Sequence, residues 1–321
     1  MTAAPPLARA TLDRAGHRRS DPHWLESVWP SARLLRVDSS AGTALFRDLV
    51  TGDAADAAVG AVLSLIVDDT SDVDRASAVL LGVEPDGVPV FAVDGPLPTV
   101  PGTRPANLRD VGHQLSDRDA GLLTTAMAIL NWHARSRFSE RTGQPTTIGD
   151  AGWSRVDASG NQTWPRTDPA MIVLVTDGVA GPEGRCLLGN NATWPKQPGF
   201  RRFSCLAGYV EPGESAEAAV TREVAEEVGI ALDRIDYVAS QAWPFPGSLM
   251  LAYSAVADPA QTLKVDPAEI TEARWFTRRE VRELLAGARV DLGTADEPAL
   301  MTLPMEVSIA HYLITTWAGL G

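Results

Sequence analysis

The chain has 321 residues, of which 45% are hydrophobic and 21% charged, a length and composition typical of about two globular domains. Its formal net charge of −13 argues against broad electrostatic binding to nucleic acid or to an anionic membrane. No apolar segment typical of a secretory signal follows the N-terminal charges, and no run is long enough to span a bilayer. The two cysteines, Cys186 and Cys205, indicate reduced thiols, so we expect a cytoplasmic protein without a membrane partner.

The first half of the chain predicts an N-terminal α+β domain. Residues 1–30 are polar and rich in proline, and they predict a flexible, partly ordered arm. Short strand-like runs alternate with turns from residue 31 to about residue 115, and residues 116–138 predict a helix capped by Ser116. The predicted domain therefore covers 31–138. Residues 139–164, rich in Pro, Gly, Ser and Thr, predict a connector.

The second half predicts an α/β domain over 165–317. Strand-like runs at 171–176, 185–188, 204–207, 235–242 and 249–256 surround a helix that begins after Ser215 and ends at Gly229. A short strand at 274–277 precedes a helix at 279–286, and Pro304 is predicted to open a last helix that ends near residue 317. Strands mixed with flanking helices imply an α/β/α sandwich with the central helix against a sheet.

The helix after Ser215 belongs to a spaced acidic motif. Residues 208–230 fit the pattern G-x5-E-x7-R-E-U-x-E-E-x-G-U, with U an aliphatic residue, at every fixed position. Glu223, Glu226 and Glu227 stand at i, i+3 and i+4, so they share a neighbouring face and repel one another. Hard divalent cations such as Mg²⁺ and Mn²⁺ resolve that repulsion, because they prefer oxygen ligands.

Two further residues support the acidic cluster. Arg222 precedes Glu226 by four residues and can hold its side chain, and Glu214 can return to the cluster from the loop before the helix. A solvated acidic helix is the commoner meaning of E-x-x-E-E. That alternative explains each glutamate alone, but it does not explain the glycines, the arginine and the aliphatic residues at fixed offsets.

The pattern resembles an intact Nudix box, the metal-binding motif of enzymes that hydrolyse nucleoside diphosphates linked to another group. Ten residues after the box, residues 240–248 read SQAWPFPGS. This segment is similar to the SQPWPFPxS signature of the NADH pyrophosphatase family of Nudix hydrolases at seven of eight specified positions, with Ala242 in place of a proline. Upstream, WPRTDPA at 164–170 resembles the family's YPRxDPA entry to the catalytic domain. The chain is therefore identified as a member of that family.

The resemblance implies a set of functional residues. The carbonyl of Ala207 and the side chains of Glu223, Glu227 and Glu269 would hold two to three Mg²⁺ or Mn²⁺ ions. Glu226 would act as a further ligand or as the proton acceptor. Arg222 and Glu214 would complete the catalytic set. Tyr209 and Trp164 would stack on adenine, Trp164 from the other subunit of a homodimer. Core packing is the alternative for each aromatic. The nucleotide site would be lined by Gln241, Ala242, Trp243, Pro244, Phe245, Pro246, Gly247, Ser248, Met250 and Ala310, and a gapped match adds Arg109.

One departure from the family concerns zinc. Many members carry four cysteines between the two domains, but this chain has FSERTG at 138–143, where the family can read FCxxCG, and the second pair falls at Val156 and Ser159. Neither the hydroxyl side chains nor valine can replace thiolates on zinc, so no structural zinc is predicted.

The implied reaction is hydrolysis of NADH or NAD⁺ to NMNH or NMN and AMP. Three alternatives stay open: hydrolysis of ADP-ribose or dinucleoside polyphosphates, removal of NAD caps from RNA, and a catalytically inactive ligand-sensing module. Lys196, Arg201 and Arg202 precede the box, and they either steer phosphates or lie in a solvated loop.

Overall fold

The computed structural model describes residues 4–49, 63–70, 72–293 and 299–319. The chain forms two compact units. The N-terminal unit comprises Pro6–Thr167 together with Ala242–Ser248, and the C-terminal unit comprises Met1–Pro5, Asp168–Gln241 and Leu249–Gly321. None of the helices within the described ranges has the length and apolar character needed to cross a membrane.

The N-terminal unit combines a mixed sheet with helices, as the predicted α+β composition requires. Its elements are α1 (Pro22–Val28), β1 (Arg33–Asp38), β2 (Thr43–Asp48), β3 (Leu63–Leu65), β4 (Val79–Val83), β5 (Pro89–Asp94), β6 (Arg104–Asn107), α2 (Leu108–Val111), α3 (Asp117–Arg135), β7 (Thr146–Gly149), β8 (Ser154–Asp157) and β9 (Gln162–Thr163). The main sheet has the order β3-β2-β1-β5-β4, and β6 also pairs with β2. The predicted cap of α3 is present, since the Ser116 hydroxyl oxygen accepts a hydrogen bond from the main-chain N–H of Asp119 at 3.1 Å.

The prediction of a flexible arm over residues 1–30 is wrong for the described part of that segment. Helix α1 begins at Pro22 with Asp21 as its cap, and the side chains of Leu7, Ala15 and Leu25 are buried. Ala15 and Leu25 pack with Leu34 and Phe91 of the main sheet. Sparse apolar residues in a polar, proline-rich segment gave no periodic signal, yet each of them adds to the core.

The predicted connector contains a small antiparallel sheet of β7, β8 and β9. Asp157, at the end of β8, is buried and accepts hydrogen bonds from the hydroxyl of Thr142 and from the main-chain N–H groups of Ser159 and Asn161 at 2.8–2.9 Å. The side-chain amide of Asn161 also donates to Asp157 and contributes most to holding the pKa of this carboxyl below its usual range. The hydrogen bonds from Thr142 and from the Asn161 main chain lower the pKa further. Hydrogen bonding to one carboxylate therefore fastens the segment where the family's cysteines are missing.

The C-terminal unit contains the predicted α/β elements. They are β10 (Asp168–Thr176), β11 (Arg185–Asn191), β12 (Phe200–Arg202), β13 (Leu206–Tyr209), α4 (Ala216–Val228), β14 (Arg234–Trp243), β15 (Ser248–Val256), β16 (Ile270–Thr277), α5 (Arg278–Leu285), β17 (Leu300–Thr302) and α6 (Ile309–Ala318). The main sheet has the order β14-β15-β10-β11-β16, β13 pairs with β10, and β12 pairs with β17 in a separate parallel ribbon.

Alternate residues of β10 face two different helical layers. Met171, Val173 and Val175 pack in a cluster with residues of α4, including Val224. Ile172 and Leu174 pack in a second cluster with residues of α5 and α6. Because successive side chains of a strand point to opposite faces, this alternation places the sheet between helices. The predicted α/β/α sandwich is confirmed.

The last helix begins later than predicted. Pro304 lies outside α6, which begins at Ile309 and is capped by the Ser308 hydroxyl, the acceptor for the N–H of His311 at 3.2 Å. A serine whose side chain meets the third following N–H satisfies a free donor of the first turn. That hydrogen bond, and not the fixed backbone angle of proline, sets the helix start.

Candidate active site

The acidic motif lies in a turn between strand β13 and helix α4. The Ser215 hydroxyl accepts a hydrogen bond from the N–H of Ala218 at 3.1 Å and begins the helix, and Gly229 ends it with a left-handed backbone at φ 71°. Val220, Val224 and Val228 are fully buried on one side of the helix. The spacing of these valines therefore fixes which face of α4 carries the glutamates.

Arg222 connects three of the acidic residues. Its guanidinium donates to both carboxylate oxygens of Glu214 at 2.9 and 3.0 Å, to Glu223 at 2.9 Å and to Glu226 at 3.0 Å. It also donates to the main-chain carbonyl oxygen of Tyr209 at 3.0 Å. The hydrogen bonds from Arg222 lower the pKa of Glu214, and those to the glutamates raise the pKa of Arg222 itself. The predicted approach of Glu214 to the helix is present.

Glu227 is the most buried member of the cluster, with 2% of its surface exposed. Burial, followed by repulsion from Glu223 and Glu269, raises its pKa to about 8, and a main-chain hydrogen bond from Ala207 offsets part of that rise. Burial likewise raises the pKa of Glu223, with further repulsion from Glu226 and Glu269. The structure thus places the four predicted carboxylates close enough to repel one another beside Ala207: Glu223, Glu226, Glu227 and Glu269.

Glycine at position 208 is required by the closeness of strand and helix. A methyl group built on Gly208 would lie 2.0 Å from the carboxylate carbon of Glu223. No side chain can occupy that space, so the absence of a Cβ atom is what lets the Glu223 carboxylate lie against β13.

The carboxylate oxygens of the cluster suit a divalent cation, although their side chains are not gathered into a ligand shell. Among the described residues, no three His, Cys, Asp or Glu side chains are already gathered in a geometry that would hold a metal ion. One oxygen of the Glu227 carboxylate is nevertheless buried with no hydrogen-bond partner, and a buried unpaired carboxylate oxygen is costly. Within the described residues, Arg222 is the cation that pairs with Glu223 and Glu226. No cation among the described residues pairs with Glu227, although oxygen donors for Mg²⁺ or Mn²⁺ are present there.

The Trp-Pro-Phe-Pro segment belongs to the N-terminal unit. There the guanidinium of Arg109 lies 4.3 Å from the ring centre of Phe245 and 5.9 Å from that of Trp243. The two rings meet edge to face at 5.0 Å. The structure thus brings Arg109 together with two of the predicted lining residues, and it adds Asn131, whose side-chain amide donates to the carbonyl oxygen of Pro244 at 2.9 Å. Sequence reasoning missed Asn131, because a single polar residue in a buried helix carries no motif.

The other predicted binding residues differ in exposure. Trp164 and Tyr209 are 56% and 58% exposed, so neither aromatic is a core residue and both rings are open to a ligand. Gln241 is buried, donates to the carbonyl oxygen of Val307 at 3.1 Å, and keeps an unpaired amide oxygen. Ala310 and Ser248 are buried, whereas Ala242, Pro246, Gly247 and Met250 are partly or fully accessible.

Within the described residues the two cysteines are free and buried, and burial raises the pKa of the Cys205 thiol to about 12.

Comparison with known proteins decides the family. Residues 166–294 match the NUDIX domain, and residues 40–132 match the NADH pyrophosphatase-like rudimentary NUDIX domain. The NAD-capped RNA hydrolase NudC of Mycobacterium tuberculosis (strain ATCC 25618 / H37Rv) is 40% identical over 324 residues, which cover 99% of this chain and 96% of that protein. The chain belongs to the NADH pyrophosphatase family of Nudix hydrolases.

Two mammalian relatives match a shorter part of this Nudix hydrolase. The human mitochondrial NAD(P)H pyrophosphatase NUDT13 is 41% identical over 65% of this chain and 58% of its own length. The NAD-capped RNA hydrolase NUDT12 of Macaca fascicularis is 39% identical over 64% of this chain and 43% of its own length. The family predicted from residues 208–230 and 240–248 is confirmed, as is the prediction that the chain is an enzyme.

Proposed function

We propose that this Nudix hydrolase cleaves the pyrophosphate bond of NADH and NAD⁺ with water, giving NMNH or NMN and AMP. The observation that carries the proposal is the buried Glu227 carboxylate, which has an unpaired oxygen and lies beside Glu223 and Glu269 in an intact box. The names of the relatives support the substrate class, since they describe a NAD(P)H pyrophosphatase and NAD-capped RNA hydrolases.

We propose that Glu223, Glu227, Glu269 and the Ala207 carbonyl hold two to three Mg²⁺ or Mn²⁺ ions, with Glu226 as a further ligand or as the proton acceptor. When bound, such ions neutralise charge on the pyrophosphate and make an attacking water molecule more acidic. Arg222 keeps Glu226 and Glu214 in place through the hydrogen bonds described above. The absence of the four cysteines supports a protein without structural zinc.

The proton of the attacking water needs an acceptor with access to solvent. Glu226 and Glu269 are both exposed, whereas Glu227 is buried. Either exposed carboxylate can accept the proton and release it to bulk water, so these two are the candidates for the general base.

The substrate rings need aromatic surfaces. Tyr209 and Trp164 are exposed enough to stack on adenine. The resemblance assigns further nucleotide contacts to Arg109 and the 242–248 loop of the N-terminal unit, and to Gln241, Met250 and Ala310 of the C-terminal unit. We further propose a cytoplasmic homodimer in which Trp164 serves the partner's site, and light scattering during gel filtration will measure the oligomeric state.

Product analysis is the direct test of the reaction. Purified protein is incubated with NADH and Mg²⁺ or Mn²⁺, and the products are separated by liquid chromatography. AMP and NMNH in equal amounts, and neither in EDTA, support the proposal. Relative kcat/KM values for NADH, ADP-ribose and diadenosine polyphosphates then decide substrate preference, and a higher value for either of the last two would contradict the assignment.

Removal of NAD caps from RNA is the second candidate. It uses the same bond and the same carboxylates, and it is favoured by the 40% identity to an NAD-capped RNA hydrolase over nearly the full chain. Release of NMN from a capped transcript, compared with free NAD⁺ under the same conditions, measures this activity.

A further inference from the structure

A cleft of about 610 Å³ lies on the C-terminal unit outside the carboxylate cluster. Its wall is formed by the segment that connects β11 to β12, by the start of β16 and by the β12–β17 ribbon. The volume is within the range of about 300–1,000 Å³ that small-molecule sites occupy. None of the residues proposed to bind NAD(H) or metal lines this cleft.

The cleft begins next to the proposed metal site. The main-chain N–H of Ala192, in the cleft wall, donates to the carbonyl oxygen of Glu269 at 2.7 Å. Asn191 pairs with Ile270, and Thr271 on the following position also lines the cleft. A ligand whose pyrophosphate lies at the glutamates can therefore extend into the cleft along this hydrogen-bonded edge.

The cleft offers aromatic surface for a flat ring. Trp194 is partly exposed, and the guanidinium of Arg202 lies 5.4 Å from the centre of its ring. Phe200, which also lines the cleft, is 44% exposed. Aromatic side chains stack on nucleobases without strong sequence preference, and a neighbouring arginine adds a cation–π contribution.

The charge of the cleft differs from that of the rest of the chain. Residues 190–204 contain three basic residues and no acidic residue, in a protein with a formal charge of −13. Arg201 forms an ion pair with Glu272 of the lining at 2.8 Å. Within the described part of the chain, neither Lys196 nor Arg202 has a carboxylate partner, so both charges are available to an anion.

We propose that this cleft binds the nucleotide that follows the capped adenosine in a single-stranded RNA, with its base against Trp194 and its phosphodiester at Lys196 and Arg202. The inference rests on the proposed NAD pyrophosphatase activity. Free NADH has no phosphate beyond the pyrophosphate that the glutamates serve, so a second cationic site indicates a substrate with a further phosphate. The aromatic lining and the volume favour a whole nucleotide over an isolated phosphate group such as a 2′-phosphate.

The test compares one set of variants on three substrates. Lys196→Ala and Trp194→Ala are assayed with NADH, NADPH and an unstructured NAD-capped RNA. Lys264→Ala is the matched control, because Lys264 is the only other lysine of the chain and its side chain is exposed. Trp194→Phe keeps an aromatic surface and should restore RNA cleavage, which a purely structural role of the indole would not explain.

For the capped RNA, kcat/KM should fall about tenfold or more in Trp194→Ala, in line with the cost of removing one base-stacking contact. Values for NADH and NADPH should stay within about twofold of wild type. Lys196→Ala should also reduce the slope of log kcat/KM against log salt concentration by about 0.7 for the RNA, which is the effect of one lost phosphate contact on a single strand.

Three results would overturn the inference while leaving the proposed function intact: equal losses on NADH and RNA, no loss on RNA, or a loss confined to NADPH. A wild-type protein that cleaves none of the three substrates would instead refute the proposed function. Fluorescence anisotropy with an uncapped 5′-monophosphate oligoribonucleotide in EDTA gives a readout independent of catalysis. Weaker binding by Lys196→Ala than by Lys264→Ala is expected there, and equal binding would contradict the assignment.

Discussion

Replacing Glu227 with glutamine should stabilise the metal-free protein at alkaline pH and at the same time remove its activity. Glu227 is 2% exposed and lies near two other carboxylates, and these surroundings raise its pKa from 4.5 to about 8. Glutamine has nearly the same shape and no charge. The substitution therefore removes the buried negative charge while keeping the packing of helix α4.

The sign and size of the effect follow from the pKa difference. The folded protein binds the Glu227 proton more tightly than the unfolded chain does, so stability is lost as pH rises from about 4.5 to about 8 and stays low above that range. A difference of 8 − 4.5 units, at about 1.4 kcal/mol per unit, sets an upper limit of about 5 kcal/mol. Relaxation of the pocket and entry of water reduce this value, so we expect about 2–5 kcal/mol above pH 8 and less than about 1 kcal/mol at pH 5.

Urea denaturation in EDTA at pH 5, 7 and 9 measures the effect. The free energy of unfolding of wild type should fall relative to Glu227→Gln as the pH increases, and the two should agree at pH 5. Glu211→Gln, which removes an exposed charge near the same turn, is the control and should follow wild type. Adding Mn²⁺ should stabilise wild type more than Glu227→Gln, because a ligand of the folded state shifts the unfolding equilibrium by mass action. Parallel pH profiles for wild type and Glu227→Gln, or near-normal turnover by the variant, would refute the reasoning.

Three further substitutions test the surroundings of the cluster. Gly208→Ala places a methyl group 2.0 Å from the Glu223 carboxylate and should lower kcat about 100-fold, since small misplacements of catalytic groups have effects of that size. In the control Gly95→Ala the added methyl group meets no atom within 4 Å, so kcat should not change. Gly229→Ala forces a left-handed backbone on alanine and should cost about 1–2 kcal/mol of stability in urea denaturation, and an unchanged midpoint would contradict the proposed helix end. Arg222→Lys loses the bidentate hydrogen bonds to Glu214, a charge-assisted interaction of about 1.5–3 kcal/mol. We therefore expect kcat/KM to fall about tenfold or more, and wild-type kinetics would rule out a positioning role for Arg222.

The sandwich and the carboxylate cluster could be predicted from sequence because they depend on local spacing. The buried valines of α4 recur every four residues, and that period fixes the face that carries Glu223 and Glu227. The caps at Ser215 and Gly229 are likewise formed by residues within one turn of the helix end. Local rules of this kind require no knowledge of the rest of the fold.

Features that depend on distant contacts were not predictable. Leu7 and Leu25 are buried because later parts of the chain cover them: helix α3 contacts the Pro6–Ala8 turn, and Leu25 packs against residues of the main sheet. The N-terminal segment alone therefore predicted an arm. The role of Asp157 depends on donors at Thr142 and Asn161 that meet only after β7 and β8 pair. The cleft around Trp194 also forms from two segments, because β12 pairs with β17 about 100 residues later. The sequence indicated that Lys196, Arg201 and Arg202 could steer phosphates, but it was equally consistent with a solvated loop.

Binding of Mn²⁺ measured by electron paramagnetic resonance tests the central claim most directly. Free Mn²⁺ is titrated against wild type, Glu227→Gln and the control Glu211→Gln, and bound ions are counted from the loss of the free-ion signal. Wild type and the control should bind two to three ions per chain in the presence of a non-hydrolysable NAD analogue, and Glu227→Gln should lose at least one. Equal Mn²⁺ binding by all three proteins, or none by wild type, would contradict the assignment of the box glutamates as the metal site.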